Sequence, residues 1–274
     1  MAIRLIATDM DGTLLNDDKK FNTERMQQLL KQMQAQDIRF VAASGNQRAK
    51  LESYFEPVGA DHVTYISDNG AVVTSQDTII AEQALSREQV QAVLEWNAKH
   101  FSVQDNLILI SGVNGAYVSN HATPELMKML HFFFHNLYQV EKFSDIEDDI
   151  LRVSLIWEQD ADVNPHIELL KTEFEGEMHV TGSGFGMVDI LAPNVNKRTG
   201  LEALAKKWHL TPAEMVAIGD NANDLEMLNY VGHPFVMPNA EPFMHEAISE
   251  TALADNNHDG VLDTIEAILK GDLA

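Results

Sequence analysis

Asp9 and Asp11 stand two residues apart, where the apolar run Leu5-Ile6-Ala7 breaks into Gly12-Thr13. A buried strand normally ends in neutral turn residues, so two like charges at that point call for something positive to hold them together. At roughly 4–5 Å they repel by about 1–4 kcal/mol, depending on the effective dielectric, and a divalent cation between them reverses the sign. Alone, the pair reads equally well as an Asp-rich surface turn. Three further polar groups occupy equivalent positions, however. Ser44 follows the apolar run Phe40-Val41-Ala42-Ala43, Asp220 follows Met215 to Gly219, and Lys197 opens a helical pattern between two strand-like runs.

The elements that would position these groups follow from periodicity. Leu5-Ile6-Ala7 reads as a strand, and Met26, Leu29, Leu30 and Met33 fall at helical spacing after the capping candidates Asn22 and Thr23. Tyr65-Ile66-Ser67 and Ala71-Val72-Val73 flank the turn signal Asp68-Asn69-Gly70, which predicts a hairpin. The alternation of strand and helix in the first and last quarters predicts a Rossmann-like parallel sheet covered by helices. In such sheets ligands collect at the carboxyl ends of the strands, so Asp9, Ser44, Lys197 and Asp220 are expected at one edge.

From about residue 83 the pattern changes. Helix starts at Ser86, with Gln89, and at Thr123-Pro124 alternate with strands at Leu107 to Ile110 and Leu151 to Trp157. The expectation is an α/β protein with a core formed by residues 1–82 and 187–274. An α/β cap over 83–186, an open sheet with helices on one face, would be inserted into it. Val188-Asp189-Ile190-Leu191 is read as the strand on which the core resumes, and Gly182 to Gly186 as the hinge before it.

With 42 acidic against 19 basic residues the formal net charge is −23. That potential repels a nucleic-acid backbone and an anionic membrane, which makes both poor partners. A small anionic substrate is repelled as well, so its site must carry local positive charge. The absence of Cys excludes disulfides, thiolate metal sites and Cys nucleophiles. The apolar run after Arg4 is too short for a signal sequence and no stretch is long enough to cross a bilayer, so the expected location is the cytoplasm.

Four motifs in order carry a family resemblance: Asp9-Met10-Asp11-Gly12-Thr13, Ala43-Ser44-Gly45-Asn46, Lys197, and Gly219-Asp220-Asn221-Ala222-Asn223-Asp224. The whole chain resembles the haloacid dehalogenase-like hydrolases of the Cof-type branch, bacterial sugar-phosphatase-like proteins with a C2-type cap. The resemblance implies a Mg²⁺-dependent phosphomonoesterase acting on small phosphorylated metabolites, sugar phosphates foremost and flavin mononucleotide as another candidate. It implies that Asp9 is the nucleophile that becomes an aspartyl phosphate and that Asp11 is the general acid and base. Mg²⁺ would be held by Asp9, the Asp11 carbonyl and Asp220, with Asp224 ligating through water or orienting the site. Ser44, Gly45, Asn46, Lys197 and Asn223 would contact the phosphoryl group. Asn46 stands where many Cof-type members carry Arg, so charge neutralisation falls on Lys197 and the metal.

Two other functions stay open at this point. A phosphotransferase or mutase would use the same Asp9 chemistry and pass the phosphoryl group to a sugar hydroxyl. An acidic Ca²⁺-binding protein would use Asp255-Asn256-Asn257-His258-Asp259-Gly260 with Glu266, which fits the spacing of an EF-hand loop although no second loop accompanies it. His131 and His135 also stand one helical turn apart, a spacing that suits packing or pocket lining better than a metal pair, because no carboxylate completes the set.

Overall fold

Apolar runs without alternation belong in strands covered on both faces, and the computed structural model places Leu5-Ile6-Ala7 and Met215 to Gly219 in such strands. The structure describes residues 2–59, 62–76, 78–102, 105–157, 162–184 and 186–273. The chain runs through β1 (Leu5–Thr8), α1 (Thr23–Ala35), β2 (Arg39–Ala43), α2 (Arg48–Phe55), β3 (Val63–Ser67), β4 (Val72–Ser75) and β5 (Thr78–Glu82). It continues as α3 (Arg87–His100), β6 (Leu107–Gly112), β7 (Ala116–Ser119), α4 (Pro124–Phe133), β8 (Leu137–Val140), β9 (Ile150–Ile156), α5 (Asn164–Glu173), β10 (His179–Gly184) and β11 (Met187–Leu191). After these come α6 (Lys197–Trp208), β12 (Met215–Gly219), α7 (Leu225–Tyr230), β13 (His233–Val236), α8 (Pro242–Ala247) and α9 (Gly260–Lys270). Two compact units result. The first comprises Met1–Ser44, Leu51–Ala81 and Asn196–Ala274, the second Gly45–Lys50 and Glu82–Val195.

In the first unit the strand order is β13-β12-β1-β2-β3-β4-β5. The five strands from β13 to β3 are parallel, and β4 joins antiparallel through the Asp68-Asn69-Gly70 turn. Side chains alternate across the sheet along each strand. Ile6, Phe40 and Ala42 therefore pack with Met26, Leu29, Leu30 and Met33 of α1 and with Val261, Leu262, Ile265 and Ile268 of α9. Leu5, Ala7, Val41 and Ala43 face the other way, onto Leu201 and Leu204 of α6 and Met227 and Leu228 of α7. Each fully buried side chain of this kind contributes about 1.5–3 kcal/mol. The expected caps are present: Asn22 accepts from the Arg25 N–H at the start of α1, Ser86 and Gln89 form a capping box on α3, and Thr123 caps α4.

The second unit is built on a sheet of order β10-β11-β9-β6-β7-β8, antiparallel except between β7 and β8. Here the sequence reading needs correction. Val188-Asp189-Ile190-Leu191 lies in β11, which pairs with β9 and β10, so the first unit resumes at Asn196 and not at 187. β11 is buried along all but its first residue, so its run looks like that of a parallel core strand, and the two are indistinguishable by periodicity. Gly182 accordingly belongs to β10 of a hairpin, with Gly186 at φ +73° in its turn, and is no hinge; Phe185 lies outside the described residues. Nor do His131 and His135 share a helix face, because α4 ends at Phe133; both imidazoles are exposed, so the packing expectation fails too.

The EF-hand reading fails on geometry. Helix α9 begins at Gly260, the sixth position of that loop, where the chain would still have to wrap around an ion. Glu266 is instead held by Arg25 and Lys270, each at 2.7 Å, and the same Arg25 Nη2 lies 2.7 Å from Asp263. These contacts tie α1 to α9. Hydrogen bonds from Lys270 and then Arg25 hold the Glu266 carboxyl down to about 2. A carboxyl depressed in the folded state adds stability above its ordinary value near 4.5, and that stability is lost as pH falls toward 2. The Tm gap between the parent and Glu266→Gln, followed by circular dichroism, should accordingly be open at pH 6 and close between pH 4.5 and 2.

Candidate active site

The carboxyl ends of three adjacent strands supply the site. Asp9 follows β1, Ser44 follows β2 and Asp220 follows β12. Lys197 is the first residue of α6, whose N-cap Asn196 exchanges a capping box with Thr199 and so fixes where the helix starts. Asp224 closes a single 3-10 turn, Ala222–Asp224, after β12.

Lys197 is completely buried, and its Nζ donates to Asp9 Oδ1 and to Asp224 Oδ1, each at 2.6 Å. Burial alone would depress this amine; Asp224 and then Asp9 outweigh it and move the pKa upward, so the group is an ammonium. The second oxygen of Asp224 accepts from the backbone N–H groups of Asp220 (3.0 Å) and Asn221 (3.1 Å). Both carboxylate oxygens of Asp224 are thus engaged, which favours an orienting residue over a metal ligand. Thr13 donates to Asp220 Oδ1 at 2.7 Å, and the Asp9 N–H donates to the Ile218 carbonyl at 2.9 Å. One oxygen from each of Asp9, Asp220 and Asp224 lies within 4.8 Å of the others.

Burial, opposed by Lys197 and reinforced by Asp224 and Asp220, pushes the Asp9 carboxyl well above the usual carboxylate range. Burial and then Asp224 push Asp220 up to about 6, against the Thr13 hydrogen bond. Three carboxylates face one ammonium, so two negative charges stay uncompensated among these four groups when all are ionised. An all-oxygen donor set with surplus negative charge is what a hard divalent cation such as Mg²⁺ takes. The residues present therefore fit that ion.

The other expected site residues lie as follows. Asp11 turns its carboxylate to Lys19, at 2.6 Å. Ser44 is buried; its N–H donates to Ile66 and its carbonyl accepts from the Asn69 N–H. Asn223 donates to Asn69 Oδ1 at 3.0 Å, so Asn69 links the ends of β2 and β12. Gly45 and Asn46 belong to the short segment grouped with the second unit.

Four contributors escaped the sequence reading. Gly12, at φ +81°, could not carry a side chain, since a Cβ there would come 2.5 Å from Asp220 Oδ2. Thr13 positions Asp220, Lys19 engages Asp11, and Asn69, at φ +55°, braces Ser44. Glycine and threonine after a paired Asp were readable signals; Lys19 and Asn69 carried none.

A family model described as haloacid dehalogenase-like hydrolase matches residues 6–265. The chain is 35% identical over 271 residues to the Escherichia coli (strain K12) 5-amino-6-(5-phospho-D-ribitylamino)uracil phosphatase YbjI, covering 98% of this chain and 97% of that protein. It is 25% identical over 270 residues to the phosphatase YcsE of Bacillus subtilis (strain 168), named for the same compound, with 96% and 94% covered. The crystal structure of SMU.1108c from Streptococcus mutans UA159 matches with a TM-score of 0.89 at 30% identity, covering 98% of this chain and all of that one.

Removing the buried ammonium strands two carboxylates in a dry site. Lys197→Met is therefore expected to lower the unfolding free energy by about 3–5 kcal/mol. Adding Asp224→Asn should return part of that loss, because the pair acts as a unit. Urea unfolding of the two variants and of Asp224→Asn alone checks this; strictly additive losses would contradict the network.

Proposed function

The chain belongs to the Cof-type haloacid dehalogenase-like hydrolases and is a phosphatase, and from that premise we propose that it is a Mg²⁺-dependent phosphomonoesterase working through an aspartyl phosphate on Asp9. The observation that carries this reading is the buried cluster of Lys197 with Asp9, Asp220 and Asp224. It holds one carboxylate at a strand end against a buried ammonium, with its orientation fixed and surplus negative charge left for a cation.

In the first half-reaction an Asp9 oxygen bonds to phosphorus while the bond to the leaving oxygen breaks, and Asp11 gives that oxygen its proton. In the second, Asp11 takes a proton from the water that attacks phosphorus; inorganic phosphate departs and the Asp9 carboxylate is restored. Ser44 and the N–H groups of Gly45 and Asn46 hold phosphoryl oxygens, with the Asn223 amide beside them. Lys197 keeps Asp9 aligned and adds positive charge near the transferring group. Mg²⁺, held by the Asp9 and Asp220 carboxylates and the Asp11 carbonyl, supplies the remaining charge neutralisation.

For substrate, we propose a small metabolite carrying its phosphate on a sugar or sugar-alcohol chain. The relatives named for a phosphorylated ribitylamino compound support it, since ribityl is such a chain. The Cys-free composition suits a reducing compartment such as the cytoplasm.

Two measurements test the reading. Asp9→Asn should keep its circular dichroism spectrum and lose phosphate release by about 10⁴-fold or more, because an amide cannot form the acyl phosphate. A rate within tenfold of the parent contradicts the mechanism. Saturating the protein with Mg²⁺ at about a hundred times its Kd should stabilise it by about 2.7 kcal/mol. Asp220→Asn should lose most of that thermal shift, whatever it does to turnover.

A further inference from the structure

One turn of the first unit borders three groups assigned above to the phosphoryl site, although none of its own residues enters that chemistry. Asp68-Asn69-Gly70 joins β3 to β4, and its three residues are buried and left-handed, at φ +47°, +55° and +104°. The Asn69 N–H donates to the Ser44 carbonyl at 3.0 Å, at the end of β2. Gly70 lies against the peptide that opens α6, where a Cβ would overlap the carbonyl of Asn196, the residue before Lys197. The Asn69 side chain reaches the turn after β12, where its Oδ1 accepts from Asn223 Nδ2 at 3.0 Å.

The turn by itself does not call for this side chain. Glycine adopts φ +55° without strain, and asparagine does so at some cost. Asparagine also brings a carboxamide into a place where the residue is 1% exposed, which is unfavourable unless that group is hydrogen-bonded. The bond to Asn223 does something the turn does not need. A carboxamide has a donor end and an acceptor end, and only the donor end attracts an anion. An acceptor oxygen on Asn69 selects the orientation of Asn223 in which Nδ2 faces the turn and its two hydrogens are presented together. Among the described residues that nitrogen makes one bond, to Asn69, and Asn223 is partly exposed, so its second hydrogen is left for a phosphoryl oxygen.

We propose that Asn69 is a positioning residue that sets the donor end of the Asn223 carboxamide toward the phosphoryl group, at a place fixed against Ser44. It touches no substrate atom and acts through Asn223. The assignment rests on the phosphatase reading and deepens it, since it makes the β3–β4 turn a determinant of phosphate affinity.

The test is a double-mutant cycle on Asn69→Gly and Asn223→Ala. Glycine keeps the left-handed backbone and the N–H to Ser44, so the first variant removes the carboxamide alone. Inorganic phosphate is the probe, read as its inhibition constant against p-nitrophenyl phosphate hydrolysis. Asn69→Gly should raise that constant about 3- to 10-fold, the worth of one hydrogen bond, and leave the Mg²⁺ concentration for half-maximal rate unchanged. With Asn223→Ala already in place it should raise it no further, because a residue that acts through Asn223 has nothing left to position. An equal rise in both backgrounds, or none in either, overturns the role of Asn69 while leaving the phosphatase reading intact; an Asn223→Ala protein with the parent's constant does the same. Should Asn69→Gly not fold, Asn69→Ala is read in the same cycle. A parent protein that neither hydrolyses the aryl phosphate nor binds inorganic phosphate overturns both readings.

Discussion

An ammonium with no access to water is tolerable only where carboxylates surround it, and Lys197 sets the geometry of the first unit through that requirement. Its Nζ must meet Asp9 and Asp224 at hydrogen-bonding distance, so the start of α6, the end of β1 and the turn after β12 are constrained together. Each is held from its other side as well. The Asn196 capping box fixes the helix start, the Ile218 carbonyl receives the Asp9 N–H, and the backbone N–H groups of Asp220 and Asn221 bind Asp224. A displacement of any one element by an ångström would leave a charge without a partner in a site that cannot hydrate it.

That arrangement also resolves a conflict in the composition. A chain of net charge −23 repels a phosphorylated substrate at a distance, and the ammonium in the site is already engaged by two carboxylates. Burial and mutual repulsion raise Asp9 and Asp220 together, so without a further positive charge the site would favour taking up protons. A protonated Asp9 could not serve as the proposed nucleophile. A divalent cation held by this cluster would have two jobs of the same electrostatic origin: it would keep the carboxylate ionised and make the rim attractive to an anion.

The sequence made legible what depends on local chain geometry. Strand ends at Asp9, Ser44 and Asp220 follow from apolar runs that break, and the caps Asn22, Ser86 and Thr123 follow from side chains that satisfy helix N–H groups. Legibility failed where the deciding fact was a partner distant in the chain. Val188 to Leu191 has the same apolar pattern in either sheet; its membership was decided by pairing with β9 and β10. Asp189 within that run was the overlooked signal, because a buried carboxylate needs a cation and Arg152 supplies it across the sheet. The EF-hand pattern misled for the opposite reason. Its residues match ligand by ligand, but Glu266 is committed to Arg25 and Lys270 and Asp263 to Arg25, contacts that no spacing rule contains.

The spacing of the acidic motifs themselves follows from packing as much as from chemistry. Asp220 and Asp224 are four apart, the interval at which a side chain reaches back to the N–H groups that open a turn; Asp224 uses it to bind the N–H groups of Asp220 and Asn221. Only its other oxygen is left for Lys197, so the two acids of this stretch divide their work: Asp224 fastens strand end to ammonium, and Asp220 faces Asp9. Gly12 and Thr13 complete the same logic from the opposite strand. The left-handed turn at Gly12 clears the space that Asp220 occupies, and it brings the Thr13 hydroxyl to bond the very carboxylate that a Cβ at position 12 would displace. A glycine and a hydroxyl after the paired Asp residues are thus demanded by a carboxylate more than two hundred positions away, before any substrate is considered.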